Sequence, residues 1–241
     1  MVAPEGGKEP LRAMYSPYTM GSDHDVYQDS SFGIPAIYLN DWPDRYIHTN
    51  LDAAANIDPT KLKRAAFIGA ASGYFLANFG VRDIPAIEKA IAMGRLLRAV
   101  TAMQRSLAHA PTEEYERALR SSLDAFASAT VAKPPHARSQ AKGDAAIVYR
   151  RRGEPRGPLT VFGYDYFEEH AKSVGVTTPG LLNYEGLWGG GEEYAYEALN
   201  FANGTRNVQQ ISDALSAEYG PVPQALVAEY LRALKQIRVV D

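Results

Sequence analysis

The sequence predicts an α/β fragment, then a helical hairpin, then a small α+β unit, and three observations carry that reading. The first is a short apolar run, Ile34 to Leu39, followed by a long amphipathic stretch with a stop signal at each end. The second is a pair of apolar stripes at helical spacing between Val81 and Thr130, broken by the sequence HAPT. The third is a set of three short helical stretches that close on Ile237, Val239 and Val240. The boundaries that follow are 1–80 for the α/β fragment, 81–130 for the hairpin, 131–144 for a linker, 145–191 for a β-hairpin with a connecting segment, and 192–241 for the last unit.

Each element has a local cause. IPAIYL, Ile34 to Leu39, places branched and aromatic residues between Gly33 and Asn40, the pattern of a short buried strand. Asp58 before Pro59 is an N-cap followed by proline at the first helical position, where its missing N–H costs nothing, and Gly80 stops the helix after Phe79. Leu62, Ala66, Gly69, Gly73 and Leu76 line one face of that helix, and Ile68, Ala71, Phe75 and Phe79 line a second. A helix apolar on two sides needs cover on two sides, and a single nearby strand supplies too little.

In the hairpin, Met93, Leu96, Leu97, Val100, Met103 and Leu107 form the first stripe, and Tyr115, Leu119, Leu123 and Phe126 the second. At this spacing the methionines read as core packing rather than as a ligand groove. The linker mixes Pro, Lys, Gln and Gly without a period, which leaves His136 a solvated loop residue. Ala145 to Phe162 reads as two strands paired across a Gly/Pro turn, with Arg150, Arg151, Arg152 and Arg156 as a solvated rim beside it. GLWGGG, Gly186 to Gly191, lacks the lysine and hydroxyl residue of a phosphate loop and reads as a flexible hinge. The last stretch gives helices over Glu192 to Phe201, Val208 to Tyr219 and Pro223 to about Lys235, sharing a core of Ile211, Leu215, Leu226, Tyr230, Leu231 and Leu234. Helices ending in a short strand predict a small α+β winged-helix-like unit. Its third helix, PQALVAEYLRALKQ, offers few basic groups where a DNA-reading helix needs them.

Composition narrows the function classes. At 241 residues and 46% hydrophobic content the chain can bury a substantial core. Lys+Arg 25 against Asp+Glu 28 gives a net charge of -3, so there is no global basic field to gather phosphate backbones, and no nucleic-acid partner is expected. No apolar run is long enough for a membrane span, so no membrane partner is expected either. The absence of cysteine rules out disulfides, thiolate metal ligands and cysteine nucleophiles, and leaves the compartment open.

Chemistry concentrates in GSDHDVYQDSSFGIPAIYLNDWPDRYIHTNLD, Gly21 to Asp52, which holds two of the chain's five histidines, His24 and His48. Zinc hydrolases hold their metal through His nitrogen and carboxylate oxygen, and a paired-metal site takes about five protein ligands. On composition alone, a histidine beside an aspartate is a capped loop more often than a ligand. The order of segments adds to this. GSDH, then GIPAIYL, then RYIHTNLDAAANIDPTKL and a long helix resemble the C-terminal part of the catalytic domain of the two-zinc aminopeptidases, the family of bacterial leucyl aminopeptidase and aminopeptidase S, over about Tyr18 to Gly80.

The resemblance implies that His48 is the last zinc ligand, on a loop leaving a buried strand toward the sheet's C-terminal edge. It implies that Asp23 or Asp52 orients the ring or shapes the loop, and that His24 has a structural or pocket-lining part. The family's remaining ligands, including its bridging Asp and Glu-Glu pair, lie upstream of its Ser-Asp-His segment. Only twenty residues precede that segment here, none of them histidine. The pairs Glu113-Glu114, Glu168-Glu169 and Glu192-Glu193 follow His48, which is the wrong order, and Ile47 stands where some members carry an oxyanion-stabilising tyrosine. The implied protein is therefore the C-terminal portion of a longer metallopeptidase, a hydrolase with two zinc ions and a peptide substrate in the parent enzyme. Its missing upstream catalytic segment would cover the doubly apolar helix. The chain by itself is expected to bind zinc poorly and to contain no complete catalytic set.

A second resemblance concerns GTRNVQQISDALSAEYGPVPQALVAEYLRALKQIRVV, which is similar to the winged-helix-like units of the PqqD type that bind peptides in other proteins. It implies the alternative function: a non-catalytic interaction or peptide-binding protein that retains a peptidase remnant.

Overall fold

Seven α-helices and four short strands form the regular structure of residues 13–14, 16–34, 36–108, 141–161 and 164–241, which the computed structural model describes. In chain order these are α1 His24–Gln28, α2 Pro59–Ala77, α3 Ile84–Ala108, β1 Val148–Arg150, β2 Thr160–Val161, β3 Tyr164–Asp165, α4 Tyr166–Val174, α5 Gly191–Phe201, β4 Asn203–Asn207, α6 Val208–Tyr219 and α7 Gln224–Gln236. The chain is thus of mixed α and β class, dominated by helix. The second helix expected for the hairpin, Glu113-Glu114 and His136 lie outside the described residues. No described helix is long and apolar enough to cross a membrane.

Contacts divide the chain into two compact units, Met1–Tyr15 with Ile37–Glu88, and Ser16–Ala36 with Lys89–Asp241. Ser16–Ala36, expected to belong with the rest of 1–80, groups with the C-terminal residues instead.

In the first unit α2 starts where the sequence says it should. The Asp58 carboxylate accepts the N–H groups of Thr60 (2.7 Å) and Lys61 (3.2 Å), satisfying two of the donors that a helix start leaves open. At the other end Asn78 folds its side-chain amide onto the Tyr74 carbonyl at 2.8 Å. Between these caps no residue is buried: Leu62 and Leu76 on the first apolar face are more than half exposed, and Phe75 and Phe79 on the second are exposed, with Ile68 partly covered. The predicted strand does not form among the described residues either. Residues 36–40 have no regular structure, and Ile37, Tyr38 and Leu39 are exposed. An extended segment becomes a strand only when a neighbour pairs with its backbone, and among the described residues none does.

The second unit has a continuous core running from Tyr149 to Val240, with Tyr194, Ile211, Leu215, Leu231 and Leu234 almost completely sealed from solvent. Three of its helices, α5, α6 and α7, lie near the predicted bounds, and the predicted shared core is buried except for the partly covered Leu226, with α4 adding Phe167 and Ala171. Asn207 sets the start of α6 through a reciprocal cap. Its Oδ1 accepts the Gln210 N–H (2.9 Å), and its own N–H donates to Gln210 Oε1 (3.0 Å).

Strand pairing differs from the expected hairpin. β1 pairs antiparallel with β4, Val148 opposite Asn207, and Arg151 bridges to Val240 on its other side; β2 instead pairs with β3. Both partners of β1 lie more than fifty residues away in sequence, where local patterning carries no signal. The expected glycine hinge is a packed turn: Glu185 bridges to Gly190, and a side chain at Gly186 would collide with the Tyr194 ring.

Candidate functional site

His48 sits in a turn that local hydrogen bonds hold on both sides. Asp44 Oδ1 accepts the N–H groups of Tyr46 (2.8 Å) and Ile47 (3.2 Å), while Thr49 Oγ donates to the Tyr46 carbonyl (2.6 Å). Between them His48 takes a left-handed backbone, φ 60°, a conformation that costs a non-glycine residue about 1–3 kcal/mol. The imidazole is exposed, and so is Asp52, whose N–H closes the turn on the Thr49 carbonyl (3.2 Å).

His24 has the opposite surroundings. It is 6% exposed and opens the short helix α1, with Nε2 donating to the Thr19 carbonyl (2.8 Å) and lying 3.3 Å from Asp25 Oδ1. Asp25, equally enclosed, accepts the Tyr18 hydroxyl (2.7 Å) and the Gly21 N–H (3.1 Å). Asp23 precedes them, exposed, without a capping bond to the helix. Asp23 and His24 therefore belong to the second unit, and His48 and Asp52 to the first.

The described residues contain no group of three or more His, Cys, Asp or Glu side chains able to hold a metal ion.

The polar chemistry of the second unit gathers where Ser16–Ala36 meets α5 and α6. Arg151 Nη1 donates to Asp29 Oδ2 (2.8 Å), with side chains only 7% and 1% exposed, and Arg151 Nη2 donates to the Gly157 carbonyl (2.6 Å). Arg156 lies over the Phe32 ring at 4.4 Å. Of the arginine rim expected from sequence, Arg150, Arg152 and Arg156 are exposed, and Arg151 departs: its side chain is buried because a carboxylate 122 residues earlier reaches it. Tyr18 stacks on Tyr196 with ring centroids 4.2 Å apart, and burial together with the Asp25 hydrogen bond pushes the Tyr18 phenol far above its ordinary range.

Two carboxylates beside this contact, Glu197 on α5 and Glu218 on α6, are also raised. Desolvation and the Glu218 charge lift Glu197 to about 8, and desolvation lifts Glu218 to about 7 against a hydrogen bond from the Tyr18 backbone N–H. Sequence reasoning missed both glutamates and the Asp29–Arg151 pair. Glu218 left a trace: it falls three residues after Leu215 and seven after Ile211, on the apolar stripe of α6.

No protein-family model matches the chain, nor does any curated protein or solved structure.

Proposed function

We propose that this chain is the C-terminal portion of a zinc-dependent aminopeptidase, in which about Tyr18 to Gly80 belong to the end of a catalytic domain whose other ligands come from outside the chain. The observation that carries this is α2, a well-capped helix with two apolar faces and no buried residue. Such a helix gains most of its stability when its faces are covered, and in an α/β domain the sheet covers one face of a helix while a neighbouring helix covers another. The order of GSDH, IPAIYL and IHTNLD before that helix supports the same reading. In it, Ile37 to Leu39 becomes a strand once a neighbour pairs with it, and the exposed His48 faces a metal held mainly by other residues.

The test is peptidase activity on aminoacyl anilides with added zinc, for the chain alone and fused to an upstream segment carrying the family's bridging Asp and Glu-Glu pair. The chain alone is expected to give no turnover, and the fusion to give activity that His48→Ala removes. Turnover by the chain alone, or fusion activity indifferent to His48→Ala, overturns the proposal.

A further inference from the structure

The geometry points to a binding site for a phosphate dianion, free or as a small monoester, where α7 ends beside the chain leaving β1, with Arg152, Lys235 and Arg238 as the groups that hold it. The inference goes beyond the peptidase reading and does not depend on it, since neither His48 nor α2 takes part.

The end of α7 carries an arginine where the backbone asks for glycine. Val239 N–H donates to the Leu234 carbonyl (2.9 Å) and Arg238 N–H to the Lys235 carbonyl (3.1 Å), the pair of reverse bonds that closes a helix when the residue after the C-cap is left-handed. That residue is Arg238, at φ 63°. Glycine takes this conformation freely, whereas a side chain brings Cβ against the following carbonyl. Both bonds come from the backbone, so glycine would keep them, and the turn does not account for the arginine. Nor does the negative end of the helix, which Lys235 already serves from within the last turn. What the strained position adds is a guanidinium on the wall of a cavity.

That cavity, about 350 Å³, is lined by Arg152, Lys235, Arg238, Val240 and Asp241. Its backbone is fixed. Arg152 N–H donates to the Val239 carbonyl (2.9 Å), Asp241 N–H donates to the Arg150 carbonyl (2.9 Å), and Val239 and Val240 are sealed from solvent. Arg152 Nε lies 3.3 Å from Asp241 Oδ1, and Arg152 Nη1 donates to the Arg238 carbonyl at 3.5 Å. Among the described residues neither Lys235 nor Arg238 has a carboxylate partner. Three cations against the single carboxylate of Asp241 leave two positive charges in the lining. A phosphate, with about two negative charges at neutral pH, matches that excess, and a carboxylate ligand would leave half of it unmatched. Guanidinium forks fit phosphate oxygens in pairs, and the lysine acts beside them as a point charge.

The experiment titrates the full chain by calorimetry with inorganic phosphate, glycerol 3-phosphate and glycerate. Both phosphates are expected to bind at least about tenfold more tightly than glycerate, and the tighter of the two tells whether the site takes phosphate free or esterified. Arg238→Gly is expected to weaken phosphate binding at least about tenfold while the melting temperature rises by up to about 3 °C, because glycine relieves the left-handed position. That pairing separates a binding role from a structural one, since a residue kept for the fold would lower both. Lys235→Gln is expected to weaken binding as well, and Lys63→Gln, an equal loss of charge at an exposed site on α2, to leave it unchanged. The inference is overturned by undetectable phosphate binding, by glycerate binding as tightly, by Arg238→Gly binding like the native chain or melting lower, or by an equal loss in Lys63→Gln.

Discussion

The apolar stripes of two helices, α2 in the first unit and α7 in the second, meet opposite surroundings, and α3 of the second unit leaves Met93, Leu96 and Leu97 as open as α2 leaves its own. On α7, Leu231 and Leu234 are fully enclosed by α5, α6 and the rest of the C-terminal core; on α2, Leu62, Phe67 and Leu76 are open to solvent. Both helices have sound local causes, an Asp58 cap for one and an i, i+3, i+4, i+7 stripe for the other. Periodicity states which residues require burial, and only the rest of the fold states whether they obtain it. The largest expected effect tests the enclosed side. Leu231→Ala removes a sealed side chain and is expected to lower the stability of the second unit by about 2–5 kcal/mol, measured by urea unfolding. A cost under about 1 kcal/mol would break the contrast, because it would mean that this core is as loosely covered as α2.

What could be read from sequence follows the same division. The start of α2 at Asp58-Pro59, the bounds of α6 and the buried stripe of α7 depend on residues within a turn or two of each other, and they were legible. The partner of β1 was not, because Val148 pairs with Asn207 and Arg151 with Val240, across intervals that contain other plausible strands. Arg151 was misread for the same reason: four arginines near a turn read as a surface rim until Asp29 is brought to one of them. IPAIYL has the composition of a strand, but composition cannot supply a pairing partner, so residues 36–40 stay irregular. At the candidate site the exposure of His48 and the enclosure of His24 were equally hidden, since both histidines stand beside similar polar residues in sequence.

A smaller effect sharpens the contrast through charge. Among the described residues, the carboxylates raised by desolvation lie in the second unit, Glu197 to about 8 and Glu218 to about 7, from ordinary values of 4.5. The groups facing them are each other, Asn200, Asp29 and the Tyr18 backbone N–H; Tyr18, Tyr196 and Tyr219 ring the same contact. Between pH 4.5 and about 8 the folded chain holds protons that the unfolded chain has released, so stability falls as pH rises through this window and levels off above it. The melting temperature of the second unit is expected to drop by a few degrees from pH 5 to 8.5. Glu218→Gln is expected to flatten that drop, by removing one ionisation and the repulsion it imposes on Glu197. An unchanged slope in the variant would show that the pair is already hydrated, and that the contact of Ser16–Ala36 with α5 and α6 is more open than its buried Asp29–Arg151 pair implies.

The smallest expected effect is the most diagnostic for the first unit. Leu76→Ser and Phe67→Ser replace side chains 70% and 72% exposed, so no cavity forms and no buried group loses a partner. Each is expected to change unfolding free energy by less than about 0.5 kcal/mol, with a gain in solubility as exposed apolar area is removed. Asp58→Ala, by contrast, acts on the same helix through its cap and reduces α2 helicity in circular dichroism, which separates the stability of the helix from the burial of its faces. If Leu76→Ser instead costs as much as a core substitution, α2 is already covered in solution by a second copy or another surface, and the missing sheet is not needed to explain its apolar faces. If it costs nothing in the chain alone but lowers activity in the fused enzyme, the cover is the upstream segment, and α2 belongs to the same structural layer as the loop that carries His48.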